Sequence, residues 1–195
     1  MIKKIIIAVV ILTGVVFWWQ DHPVSQRPGV LAANPPAQQG IVKATPFRHK
    51  NYRVVPLAAF QIKARVLGKE NYYLGREATL SPVDLTLGWG PMSDSRVLDK
   101  ISISQSNRFY YWRTSNFPIP RRQIETNSAN MHMIPANKSV ARRLSSVRAG
   151  QVIQLQGYLV RIEANDGWRW QSSLTRGDVG TGACELVWVE SLSTI

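Results

Sequence analysis

The chain has 195 residues, with 24 Lys and Arg against 12 Asp and Glu, a formal net charge of +12, three His and a single Cys. This length allows one domain of ordinary size with an appendage. Because 45% of the residues are hydrophobic and can build a core, collagen-like, coiled-coil and wholly disordered chains are excluded. A single cysteine can form neither a disulfide within the chain nor a Cys-rich zinc site. No metal and no cofactor are therefore expected.

The first residues form an apolar segment that predicts a transmembrane helix. Two lysines precede fifteen uncharged residues, Ile5–Trp19, and a helix counted from Ile2 would span about 27 Å, close to the thickness of a bilayer core. Lysines on this side predict a cytoplasmic N-terminus. Residues 1–19 are therefore expected to be a cytoplasmic tip and an uncleaved signal anchor. It would cross the inner membrane once and contact the lipid bilayer through residues 2–19.

A cleaved secretory signal is the alternative, because a basic start followed by an apolar stretch of this length also describes one. The residues Trp18-Trp19-Gln20-Asp21 offer no small side chains to a signal peptidase, whereas a late cut near Ala32 stays open. An uncleaved anchor would place the rest of the chain in the periplasm or another extracytoplasmic space.

Residues 20–46 are expected to be a Pro-rich tether. They contain five prolines and few large apolar residues, and no periodic pattern is visible. Because prolines keep such a segment semi-extended, it would reach roughly 30 Å or more from the membrane. A spacer is the expected role.

The remaining residues, 47–195, are expected to form one extracytoplasmic domain that is mainly β (α+β) with two short helices. The predicted helices begin at Ser93 or Asp94 and after the cap Asn137. Three antiparallel strands close the chain, with a bulge or a close backbone approach at Gly157 in the first of them. This meander predicts a small β-barrel, with the OB-fold among its possible forms, and a β-sandwich is the alternative. The predicted strands include Phe60–Val66, Ile101–Ser104, Arg108–Arg113, Gln151–Ile162, residues 168–172 and Cys184–Leu192, and a turn is predicted at Ala164-Asn165-Asp166-Gly167.

The middle of the chain is strongly basic. Residues 96–148 hold ten Lys and Arg against two acids, whereas residues 149–195 hold three against five. In Arg108-Phe109-Tyr110-Tyr111-Trp112-Arg113 the cations flank aromatic residues, and such a surface could stack bases and hold phosphates. The alternative is a strand whose aromatic residues alternate into the core between solvated arginines. The candidate anion-binding residues are Arg108, Arg113, Arg121 and Arg122.

Cys184 and His132 are the pair that could carry covalent chemistry, since a thiol needs a nearby base or cation to become a nucleophilic thiolate. The anchor and the order of these two residues resemble membrane-tethered transpeptidases of the sortase family. The family's Thr-Leu-x-Thr-Cys motif is absent, and no arginine follows Cys184, so the oxyanion role would fall to Arg169 or Arg176. The alternative is a small buried cysteine and a hydrogen-bonded structural histidine.

Four carboxylates could be considered as a pair for glycan cleavage. Each lies near a turn or a strand end, where an acid is usually solvated or caps a helix, and sequence separation gives no distance between them. No such pair is predicted. The four residues are Asp84, Asp94, Asp178 and Glu185.

Three phrases in the chain resemble a family of uncharacterised, membrane-anchored bacterial proteins. The likeness spans most of residues 60–190 and implies a single domain, and the family offers no activity to transfer. Trp89, between two glycines, either lies over a cleft or plugs the end of the domain. The phrases are GWGPMSD at residues 88–94, NMHMIPAN at residues 130–137 and GACELVWVE at residues 182–190.

The expected function is a membrane-tethered binding or assembly component of the bacterial cell envelope, with an envelope protein or an anionic polymer as partner. The expectation leans against an enzyme because no convincing catalytic set is visible. Two alternatives stay open. The first is a Cys–His thiol enzyme, either a sortase-like transpeptidase or a hydrolase, and the second is a module that binds an anionic polymer or DNA.

Overall fold

A computed structural model describes residue 14 and residues 22–40, 45–175 and 184–195. The described part is mainly β, as predicted, and contains ten strands. The strands are β1 (Ala37–Gly40), β2 (Phe47–His49), β3 (Tyr52–Asn71), β4 (Val83–Gly88), β5 (Ser102–Ser106), β6 (Phe109–Arg113), β7 (Ser128–Pro135), β8 (Val152–Glu163), β9 (Arg169–Gln171) and β10 (Glu185–Thr194).

Four α-helices lie in the described residues, so the prediction of two was wrong. The two predicted helices are present as α2, with Asp94 as its N-cap, and α4, with Asn137 as its N-cap. The additional helices α1 and α3 have five and six residues, and neither has a side chain that caps its N-terminus, so no start signal marked them. The helices are α1 (Arg76–Leu80), α2 (Ser95–Leu98), α3 (Arg121–Thr126) and α4 (Lys138–Ser146), with a 3₁₀ turn at Gly90–Ser93.

Eight of the strands form one sheet, and β5 and β6 form a separate hairpin. The long strand β3 pairs antiparallel with both β4 and β8. Strand β4 continues to β7, β7 pairs parallel with β10, and β10 pairs antiparallel with β8. Two register shifts in β3, at Pro56–Ala58 and Val66–Gly68, bend the strand so that it can pair with both β4 and β8.

The central strands β4 and β7 and the first half of β10 are buried on both faces. One face packs into the main apolar core through residues such as Leu85, Met131 and Val187. The other face of β7 and β10 packs into a second cluster that includes Leu186 and Ile134, whereas on β4 it carries buried polar side chains. Because neither face meets water, these strands lack the simple alternation of a half-exposed strand.

Two local predictions in the C-terminal part are confirmed. The backbone of Gly157 lies so close to β10 that a Cβ would collide with the Trp188 carbonyl oxygen, and β10 shifts its register at this point. In the predicted turn, the Ala164 amide donates to the Trp168 carbonyl, and Gly167 has a φ of 84°. Both positions require glycine because a side chain would clash or strain the backbone.

The predicted transmembrane helix lies outside the described residues, apart from residue 14. Among the residues that are described, no helix combines the length and the apolar character needed to cross a bilayer.

The segment expected to be a spacer contacts the domain instead. The Val24 amide donates to the Ala149 carbonyl at 2.7 Å, the Ala32 amide donates to Ser93 Oγ at 3.1 Å, and β1 pairs with β3. The proline-rich composition shows that this segment is extended. It does not show that extended backbone can be held by hydrogen bonds to folded neighbours.

Candidate functional site

The β5–β6 hairpin turns at Asn107 and Arg108, which have positive φ values of 52° and 70°. A two-residue hairpin turn of this type matches the twist of its flanking strands. Arg108 was predicted to begin the strand and lies in the turn instead. Its side chain is therefore directed away from the hairpin surface that carries Arg113.

Arg108 forms a buried ion pair with Asp84. Its Nη1 lies 2.7 Å from Asp84 Oδ1 and donates to the Ser81 carbonyl at 2.9 Å. The Arg108 side chain is 14% exposed and its guanidinium lies 3.7 Å from the centre of the Tyr72 ring, while the Asp84 side chain is fully buried. Burial raises the pKa of the Tyr72 hydroxyl. A charge pair removed from water to this extent is retained only when its hydrogen bonds are satisfied.

Asp84 also fixes His132. The two residues are direct neighbours in the β4–β7 register, and His132 Nδ1 lies 2.8 Å from Asp84 Oδ2. The indole of Trp170 covers the imidazole at 4.9 Å between ring centres. His132 is 4% exposed, so its ring is held in one orientation by a carboxylate and an aromatic neighbour.

Asn130 completes this group, which we call the polar cluster (Asp84, Arg108, Asn130 and His132). Asn130 Nδ2 donates to the Arg108 carbonyl at 2.8 Å, and its Oδ1 accepts from Gln105 Nε2 at 2.8 Å. These bonds attach the hairpin to the sheet at both its turn and its first strand. Sequence reasoning missed this role of Asp84 and Asn130. The available signal was a lone acid inside the apolar strand β4.

Cys184 lies at the edge of the polar cluster, directly before β10. Its Sγ lies 3.7 Å from the Arg108 carbonyl oxygen, which Asn130 also contacts. Because Glu185 pairs with Met131 in parallel register, Cys184 lies beside β7, the strand that carries His132. The structure thus brings the predicted pair onto neighbouring strands, with His132 bonded to Asp84 and Cys184 to the hairpin turn.

A cleft of about 580 Å³ opens between the hairpin, α3 and the start of β10. The side chains of Tyr111 and Phe117 stand 53% and 55% exposed at this cleft. Trp89 is 2% exposed and lines the cleft from the domain core, so it is both buried and part of a cleft wall. The described residues that line the cleft include Trp89, Tyr111, Arg113, Phe117, Arg121 and Cys184.

The four predicted anion-binding arginines are divided by the fold. Arg113 and Arg121 line the cleft, and Arg122 is exposed on α3 next to Arg121. Arg121 Nε lies 2.8 Å from Glu125 Oε1, and its guanidinium lies 5.6 Å from the Trp112 ring centre. Arg108 belongs to the polar cluster. The basic surface of the hairpin is thus smaller than the sequence predicted.

Three of the four acids considered in the sequence are also placed differently from one another, whereas Asp178, like Arg176, lies outside the described residues. Asp84 is paired and buried, and Asp94 caps α2. Glu185 is 2% exposed and lies beside Cys184 at the cleft. Within the described ranges, no group of three or more His, Cys, Asp and Glu residues could hold a metal ion.

The chain matches no family model, no curated protein and no solved structure. The geometry itself offers two kinds of chemistry. The polar cluster orients a histidine and fastens the hairpin, and the cleft presents aromatic faces next to an exposed cation.

Proposed function

We propose that the protein is a binding or assembly component of the cell envelope, tethered to the inner membrane through residues 2–19. Its domain would lie in the periplasm or another extracytoplasmic space. A partner would contact the cleft between the hairpin and the sheet. The observation that carries this proposal is the pair of exposed aromatic side chains, Tyr111 and Phe117, at a cleft of about 580 Å³.

The size and the lining of the cleft support binding. Ligand pockets are typically clefts of about 300–1,000 Å³ with aromatic walls and a few polar groups that fix orientation. Exposed aromatic side chains that line one cleft, unlike single scattered ones, are typical of a contact surface. Arg113 adds a cation at the rim, which favours an anionic group on the partner and supports the alternative of an anionic polymer.

We further propose that the strands close into an OB-like barrel. The pairings run from β3 through β4, β7, β10 and β8 back to β3, and α4 connects β7 to β8. In such a barrel, one face and the loops around it bind the ligand. Here the hairpin covers part of the β4–β7 face, so the cleft at its margin is the part left open to a partner.

A photo-crosslinking experiment in cells tests the proposal. A benzophenone amino acid replaces Tyr111 or Phe117 in the full chain, and the same replacement at Tyr73 is the control. Tyr73 is 85% exposed and does not line the cleft. An adduct with one envelope component at positions 111 and 117, but not at 73, supports binding at the cleft. Identical adducts at all three positions, or none, contradict it.

A thiol enzyme is the second candidate, and one observation favours it. Cys184 lines the cleft, and the strand beside it carries a histidine oriented by a carboxylate, as in a catalytic triad. Among the described cleft residues, however, His132 does not appear. A histidine covered by Trp170 would need to move before it could act as base.

The rate of Cys184 alkylation by iodoacetamide distinguishes the two candidates. A base that activates the thiol gives rapid alkylation at neutral pH, and His132→Gln lowers that rate. Asn165→Gln, in the exposed β8–β9 turn, is the control variant. A slow rate that His132→Gln does not change is the outcome that rules out His132 as the base.

A further inference from the structure

The N-terminal segment is fixed to the domain at one well-defined point. The Val24 amide donates to the Ala149 carbonyl at 2.7 Å, just after the end of α4. The Val24 carbonyl lies against Gly150, where φ is 86° and a Cβ would collide with it. No other residue type fits easily at Gly150, because the backbone conformation and the close approach both exclude a side chain.

The next residues continue along the domain surface. The Gln26 carbonyl accepts from Ser95 Oγ at 3.1 Å, and the Gly29 amide donates to Asp94 Oδ1 at 2.9 Å. Asp94 is itself paired with Arg96. The segment is therefore held on the domain from residue 24 onward.

This attachment limits the distance between the domain and the predicted membrane anchor. Only four residues separate Trp19, the end of the apolar run, from Val24. Five steps of a fully extended chain cover at most about 18 Å, at about 3.5 Å per residue. Val24, which bonds to the backbone shortly after α4, therefore lies within about 18 Å of the point where the chain would leave the bilayer.

The domain surface at this point is basic. Arg27 is exposed three residues after Val24, and Arg142 is exposed on α4, about 6 Å of helix rise before its last residue. Arg148 directly precedes the attachment point, and α4 contains no acidic residue. We call these three residues near the attachment point, Arg27, Arg142 and Arg148, the basic end.

We propose that the basic end docks on anionic phospholipid headgroups of the same bilayer that residues 2–19 enter. This inference rests on the proposed anchor. Cations close to an anionic membrane surface are attracted to it, and a short connection keeps their local concentration at that surface high. Docking would fix the orientation of the domain and direct the opposite end of β8, about 36 Å away along the strand, into the extracytoplasmic space.

Fluorescence quenching in reconstituted vesicles tests this orientation. The full chain carries a fluorescent amino acid at Ser146, near the basic end, or at Asn165, at the far end of β8. It is reconstituted in phosphatidylcholine or phosphatidylglycerol vesicles that contain a headgroup-labelled quencher lipid. We expect stronger quenching at Ser146 than at Asn165, only in phosphatidylglycerol, with the difference removed by high salt.

A charge-reversed variant and a matched control identify the residues. Arg27→Glu with Arg142→Glu is expected to lower the docked-to-free ratio by at least about fivefold for each cation removed. Arg48→Glu with Arg169→Glu changes the net charge equally at the far end of β8 and should leave quenching unchanged. Equal quenching in both lipids, or equal effects of the two variants, would overturn the docking.

Alkaline carbonate extraction separates this inference from the anchor on which it rests. A chain that carbonate extracts overturns the anchor, and the docking falls with it. A chain that resists extraction but shows no phosphatidylglycerol-dependent quenching overturns the docking alone.

Discussion

The two sides of the β5–β6 hairpin differ in how their charges are used. On the side of its turn, Arg108 is bonded to the fully buried Asp84, which also orients His132. On the side of the cleft, Arg113 is exposed and the aromatic rings of Tyr111 and Phe117 face solvent. Arg108 and Arg113, which flank one short sequence motif, therefore have opposite roles, and Phe117 joins the cleft from beyond the hairpin.

The difference shows that a residue's chemical type does not reveal its role. The three residues whose side chains are most typical of catalytic sites, His132, Asp84 and Arg108, form an ion pair and a hydrogen bond with one another inside the protein. Satisfied buried networks of this kind hold a structure together, and breaking one partner leaves a buried charge without compensation. The contacts open to a partner are instead the aromatic side chains and the exposed cation.

The largest expected effect comes from breaking the polar cluster. We expect Asp84→Asn to lower the free energy of unfolding by about 3 kcal/mol, at the lower end for a broken buried ion pair. Among the described residues, Arg108 would keep only the carboxylate of Glu77, which is 46% exposed and lies 3.7 Å away. Urea denaturation of the purified full chain measures the change. Asp166→Asn is the control, since Asp166 pairs with Arg76 at the surface. The double variant Asp84→Leu with Arg108→Met should recover much of the loss. An unchanged midpoint for Asp84→Asn would contradict the structural role.

The next effect concerns the other side of the hairpin. Tyr111→Ala and Phe117→Ala should each weaken partner binding by about 1–3 kcal/mol if the rings stack on the partner. Both side chains are more than half exposed, so the urea midpoint should hardly change. Crosslinking yield in cells measures binding, with Tyr73→Ala as control. If either variant lowers the urea midpoint but leaves the crosslinking yield unchanged, the side chain contributes to stability and not to partner binding.

A smaller effect distinguishes Arg113 from Arg108 by the salt dependence of anion binding. If the cleft binds an anionic polymer, Arg113→Gln should weaken heparin binding and lower the slope of log K against log salt by about one. Arg108→Gln should lower the unfolding free energy and leave that slope unchanged. Titration with heparin at several salt concentrations measures both. Equal slopes for the wild type and Arg113→Gln would exclude the cleft as the anion-binding surface.

The smallest expected effect concerns Asp94, an acid that pairs with Arg96. Hydrogen bonds from the Arg96 side chain and the Gly29 amide hold the pKa of Asp94 well below its ordinary value. A lowered pKa means that the Asp94 carboxylate stabilises the fold above its unfolded pKa, near 3.9. This contribution is lost as the pH falls toward the lowered folded value. The protection of the Gly29 amide, its exchange rate relative to that of an unfolded peptide at the same pH, should therefore fall on acidification. Asp94→Asn should remove that protection at neutral pH, and a protection factor independent of both changes would contradict the prediction.

Several features could be predicted from the sequence because short-range chemistry controls them. Asp94 and Asn137 were predicted at helix starts because such side chains accept hydrogen bonds from backbone amides two or three residues ahead. The turn at Gly167 and the close approach at Gly157 followed from the lack of a side chain. The mainly β class followed from apolar alternation. The transmembrane anchor and the family resemblance stay predictions.

Only the tertiary structure decided which side chains meet. Arg108 and His132 lie 24 and 48 residues from Asp84, and it is the turn at Asn107 and the β4–β7 register that bring them to one carboxylate. The attachment of Val24 to Ala149 depends likewise on contacts between distant parts of the chain. Local sequence patterns determine whether each segment is a helix, a strand or a turn. The pairing between strands determines which side chains become neighbours, because a shift of one residue in register replaces every cross-strand neighbour in the sheet.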